Sequence, residues 1–188
     1  MNTKLILHPD DEKALGMLKR IPLFDHLVKK YMATCVEPRF YGENLGSMVE
    51  VSPTNMPELY HLLVEVCAKL EMDVPKLFVY NDPVMNAATY GATAPYIEVS
   101  NSLIEKLSPE ELQSVLAHEC GHIICGHSLY KSVARHLSEL GGVLGLITDT
   151  LLAPIELSLL YWSRKSELSA DRCCHGYAGK HGAPQGNA

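Results

Sequence analysis

The chain has 188 residues, 47% of them hydrophobic and 20% charged, which supplies one compact core and leaves little for a second. Lysine and arginine number 16 against 22 acidic residues, a net charge of −6, and no basic run of five or more occurs, so nucleic-acid binding is not expected. The six cysteines, at 35, 67, 120, 125, 173 and 174, are too sparse for a secreted disulfide framework and form no C-x-x-C pair, which points to free thiols in a reducing cytoplasm.

In chain order, Leu5, Ile6 and Leu7 form a short apolar run before Pro9 and three acids, far from the core of an export signal. Residues 10–20 and 22–35 carry apolar positions at helical spacing and read as two short packing helices. Leu45, Met48, Val49 and Val51 suggest a loop feeding a short strand. Ser52-Pro53 reads as the start of a helix running to about Met72, because serine caps free amides, proline suits a first turn, and Leu59, Leu62, Leu63, Val66 and Leu70 form a stripe. His61, near that stripe, reads as a structural histidine.

After Pro75, Lys76–Tyr80 reads as a strand, and residues 86–90 and 96–100 read as the arms of a hairpin, so the sheet is expected to be small and antiparallel. A short helix is expected over 101–107. Ser108-Pro109-Glu110-Glu111 is a capping box, with serine at the cap, proline at the first position and glutamate three residues on. That helix is expected to reach Ser128 or beyond, with Gly121 and Gly126 as weak points. Residues 141–162 are apolar but broken by Asp149, Pro154 and Glu156, so no uninterrupted span of 18 exists. Two short helices joined near Pro154 are expected, with peripheral membrane contact through 141–162 as the other reading. A last helix follows over about 163–177, then a glycine-bearing tail, 179–188, expected to be disordered.

The chemistry sits in His118-Glu119-Cys120-Gly121-His122, an H-E-x-x-H pattern inside the capped helix. Residues four apart leave one helix face with β-carbons about 6 Å apart, so two imidazoles can converge on one zinc ion at about 2.0 to 2.1 Å. Glu119, rotated about 100° from His118, can stand beside the metal without binding it and act as general base on a metal-activated water. A catalytic centre of this kind needs a third ligand and an open position for water. The last helix offers Glu167, with Asp171 one turn on to accept the free ring N–H of a histidine and fix its tautomer. His127, five residues past His122, points off the ligand face and is left out of the site. Cys120 faces off it too and reads as packing.

At these residues the chain resembles the metallopeptidase family that includes the bacterial heat-shock protease HtpX and the eukaryotic CAAX prenyl protease. The resemblance runs over about residues 75–175, through Asn86-Ala87, Ser108 to Leu112, Ala117 to Ile123 and Glu167 to Arg172. It implies a gluzincin fold with one zinc ion per chain held by His118, His122 and Glu167, catalysis by Glu119, and Asp171 behind the ligands. It also implies an extended peptide lying antiparallel to an edge strand over the site, for which Tyr96–Ser100 or its partner 86–90 is the candidate. HtpX-like members carry clear transmembrane helices, whereas this chain has only the interrupted region 141–162.

The expected fold class is α+β, mostly helical, with a small antiparallel sheet beside the HExxH helix. A single metallopeptidase domain is expected over 1–178, with 1–52 a helical part packed on it. The expected function is zinc-dependent endopeptidase, in the cytoplasm or peripheral to a membrane. The alternatives are a catalytically impaired zinc- and peptide-binding module and a membrane-associated quality-control scaffold.

Overall fold

The computed structural model of the chain describes residues 6–20, 24–32, 34, 42, 46–91, 93–135 and 146–181. Among the described elements α1 (Pro9–Lys19) and α2 (Phe24–Tyr31) precede β1 (Val49–Glu50) and α3 (Pro57–Leu70). The strands β2 (Lys76–Tyr80), β3 (Ala87–Tyr90) and β4 (Tyr96–Ser100) lead into α4 (Asn101–Lys106) and α5 (Pro109–Ile124). A helix α6, described over 128–135, and the long α7 (Leu146–His181) follow. The α+β class expected from the sequence is what the chain adopts.

Several expectations need correction. The first concerns α3, which begins at Pro57 rather than at Ser52-Pro53. Ser52 instead closes a tight turn: its N–H donates to Asn55 Oδ1 at 2.8 Å, and Asn55 Nδ2 donates to the Glu50 carbonyl at 2.7 Å. Side chains that bond their own backbone compete with a helix start, and here the turn wins. The second concerns Pro154, which does not divide two helices, since α7 runs unbroken through it to His181. Proline removes one main-chain bond at a cost of about 3 kcal/mol, which tertiary packing of the rest of the helix overrides. Residues 141–145 and 182–188, part of the apolar stretch and of the glycine-bearing tail, lie outside the described residues. No described helix is long and apolar enough to cross a membrane.

The third correction is the sheet, whose order is β1-β2-β4-β3. β3 and β4 pair antiparallel as the hairpin predicts, with Ala88 opposite Glu98, but β2 and β4 run parallel, Leu77 opposite Ile97, so the sheet is mixed. Tyr96–Ser100 is therefore an interior strand, paired on both sides, and cannot take an added peptide. Among the described residues the edge strand beside α5 is β3.

Leu77, Val79, Ile97 and Val99 of the sheet pack with Leu59, Leu63, Val66 and Leu70 of α3 and Leu112, Leu116, Ala117 and Cys120 of α5. A second cluster joins Ala14 and Leu18 of α1, Leu129, Tyr130 and Val133 of α6, and Leu159 and Trp162 of α7. The five described cysteines are free; Cys120 Sγ, buried in the first cluster, lies 3.9 Å from Cys67 Sγ.

Helix α5 starts as the sequence predicts: Ser108 Oγ accepts from the Glu111 N–H at 3.3 Å while Glu111 Oε2 accepts from the Ser108 N–H at 2.8 Å. It ends earlier than expected, at Ile124, because Gly126 adopts φ +72°. The Gly126 N–H bonds the Ile123 carbonyl at 3.0 Å and the His127 N–H bonds the His122 carbonyl at 2.9 Å. These two bonds form a Schellman motif, in which a left-handed glycine closes the helix and folds the next residue back along it.

The buried positions of α7 include 159, 162, 166, 169, 170, 173 and 177, a stripe at steps of one, three and four residues. It meets α5 at Gly121, where a Cβ would lie 2.7 Å from Cys173 Cβ and 3.2 Å from Ala170 Cα. No larger residue fits unless the helices part, so Gly121, a weak point for helix formation, is what lets α7 come this close. Glu167 and Asp171 flank the stripe and face α5.

Candidate metal centre

His118 and His122 leave α5 one turn apart, with ring centroids 4.9 Å apart and planes at 82°. Ligand atoms of His118, Glu119 and His122 all lie within 4.8 Å of one another. From α7, Glu167 Oε2 comes to 3.0 Å from His118 Nε2 and 3.5 Å from His122 Nε2. Asp171 Oδ1 lies 3.1 Å from His118 Nδ1, on the other side of that ring. All five side chains singled out from spacing thus share one place, although two belong to a helix distant in sequence.

Burial alone would raise the Glu167 pKa, but the hydrogen bond from His118, the His122 ring at 3.5 Å and the Lys131 ammonium outweigh it and hold the carboxyl well below its usual range. Burial works to lower His118, yet its hydrogen bond to Glu167 and the nearby Glu119, Glu167 and Asp171 carboxylates leave it raised. His122 is lowered, chiefly by burial, with the nearby Glu167 carboxylate acting the other way and the Lys131 charge adding to the fall. A neutral imidazole beside an ionised carboxylate is the state in which both donate to a metal.

Sequence reasoning missed four neighbours. Thr89 of β3, fully buried, donates its hydroxyl to Glu119, with Oε2 at 2.7 Å and the main-chain carbonyl at 3.1 Å. Lys131 of α6 places Nζ 2.8 Å from His122 Nε2 and 3.1 Å from Glu167 Oε1. His127 is fully buried, its Nδ1 3.0 Å from Nδ1 of His122. Asp11 of α1 is likewise buried, beyond His127. A signal existed for one of them, since Asp11 falls on the helical stripe of Ala14 and Leu18 rather than with the exposed acids of its turn. Thr89 and Lys131 depend on contacts between elements that no local pattern encodes, and His127 on the left-handed turn at Gly126.

Two imidazole nitrogens and a carboxylate, with further acids alongside, fit a divalent cation of the zinc kind. The Lys131 ammonium drawn between His122 and Glu167 shows that these donors attract positive charge.

A His-x-x-x-His pair on one helix, faced by a glutamate from another and set beside the edge strand of a small sheet, defines a protein with a metallopeptidase-type centre. Residues 53–187 match Peptidase family M48, and the chain belongs to that family. It is 35% identical over 167 residues to the plastoglobule-localized metallopeptidase 48, chloroplastic, of Arabidopsis thaliana, covering 88% of this chain and 48% of that one. A protease HtpX homolog of Syntrophobacter fumaroxidans is 26% identical over 151 residues, covering 64% of this chain and 54% of its own. One from Streptococcus thermophilus is 26% identical over 115 residues, covering 60% and 36%. The chain spans about half the length, or less, of these relatives. The HtpX-like resemblance drawn from the motifs agrees with this membership.

Proposed function

We propose that the chain is the catalytic unit of a zinc-dependent endopeptidase, with the metal held by His118, His122 and Glu167. The observation that carries this reading is the meeting of Glu167 Oε2 with the Nε2 atoms of both histidines, at 3.0 and 3.5 Å. A zinc ion bound there supplies Lewis acidity, polarising the scissile carbonyl and lowering the pKa of water.

The chain's own residues do the rest. Glu119 takes a proton from the water that attacks the carbonyl carbon and returns it to the amine as the C–N bond breaks. Thr89 holds Glu119 Oε2, which leaves Oε1 for that transfer. Asp171 accepts the His118 Nδ1–H, so that Nε2 keeps its lone pair for the metal. The substrate, a peptide or unfolded protein, adds antiparallel to the outer edge of β3, which the sheet order leaves open among the described residues. A cleft of about 390 Å³ beside His118 and Glu119, lined by Met85, Ala87, Leu103 and Val115 among others, suits an apolar side chain of that peptide.

Cleavage of unfolded casein is the test. Activity should vanish with 1,10-phenanthroline and return when zinc is restored; cleavage that survives complete removal of metal would contradict the proposal.

A further inference from the structure

His122 has no solvent behind it. Its Nδ1 lies 3.0 Å from Nδ1 of His127. The Schellman bond from the His127 N–H to the His122 carbonyl brings the two residues together. On the far side, His127 Nε2 stands 2.8 Å from Asp11 Oδ2, approached obliquely to the ring N–H. The Asp11 carboxylate is held in turn by Trp162 Nε1, 3.0 Å from Oδ1, and by Ser169 Oγ, 2.5 Å from Oδ2.

Proton positions follow from what each partner can do. An ammonium has donors only, so Lys131, at 2.8 Å, marks His122 Nε2 as the lone-pair nitrogen and puts the ring proton on Nδ1. His127 Nδ1 must then accept, which puts the His127 proton on Nε2, toward a carboxylate that can only accept. We infer that Asp11 and His127 are positioning residues of the metal centre: the relay Asp11–His127–His122 locks His122 in the tautomer that presents Nε2 to a metal ion. The inference rests on the reading of His122 as a ligand. Asp11 lies outside residues 53–187, the span matched to the family, so the relay brings the N-terminal helix into the working of the centre.

Asp11→Asn keeps size and shape but offers an amide N–H to His127 Nε2. Accepting it would shift the His127 proton to Nδ1, against the proton of His122. Zinc affinity, read by competition with a chromophoric chelator, should therefore fall about 10- to 100-fold, the usual cost of losing a group that orients a ligand. Leu18→Val loosens the packing of the same helix without touching the relay, and should stay within about threefold of wild type, well short of that cost. Wild-type affinity in Asp11→Asn, or an equal loss in both variants, overturns the inference. A wild-type chain that binds no zinc would overturn the ligand reading itself. Should Asp11→Asn fail to fold, nitrogen-15 shifts of the metal-free wild type decide the matter: protons on His122 Nδ1 and His127 Nε2 support the relay, and a proton on His127 Nδ1 overturns it.

Discussion

Glu119→Gln is expected to bind zinc as wild type does and to lose about 10²- to 10⁴-fold in peptide cleavage, the usual worth of a positioned general base. Glutamine has the shape of glutamate and can still accept from the Thr89 hydroxyl, so the tie between β3 and α5 survives. What it cannot do is take a proton from water. Zinc content by metal analysis alongside the casein cleavage rate separates the two effects. An unchanged rate at full zinc content would remove Glu119 from the chemistry.

Glu167→Ala is expected to have the larger effect on the metal. Its carboxylate is the group that meets both histidines and also pairs with Lys131 at 3.1 Å. Removing it deletes a ligand and leaves the Lys131 ammonium beside His122 with no carboxylate between that charge and an incoming cation. Zinc affinity should fall by more than the roughly 100-fold that follows from losing a merely orienting group. Dialysis against metal-free buffer should strip the variant while wild type keeps one zinc per chain; retention of zinc by Glu167→Ala would assign the third ligand elsewhere.

Local chemistry explains which parts of this molecule are legible in the sequence. The start of α5 is readable because Ser108 and Glu111 satisfy each other within one turn, and the histidine pair because the helix itself sets the spacing of residues four apart. Glu167 and Asp171 are readable as a pair on one face, although nothing in their own segment says which helix they meet. That meeting depends on Gly121, which in sequence is only a poor helix former and in the fold is the point of contact with Ala170 and Cys173.

Pairing between distant segments is what sequence pattern does not carry. Tyr96–Ser100 and residues 86–90 are equally plausible edges until β2 is known to run parallel to β4 and take its free side. Gly126 shows the same limit at shorter range: a glycine after a helix can weaken it or close it, and only the left-handed φ, with His127 folded back on His122, tells which. Asp11 is the farthest case, because its three partners, His127, Trp162 and Ser169, come from remote parts of the chain.

The proposed chemistry requires one metal ion in one position. Anomalous difference density at the zinc edge, from crystals of the zinc-loaded protein, locates it directly. A single peak at bonding distance, about 2.0 to 2.2 Å, from His118 Nε2, His122 Nε2 and a Glu167 carboxylate oxygen is the predicted result. A peak bound by other residues, or one that leaves Glu167 outside that distance, would contradict it.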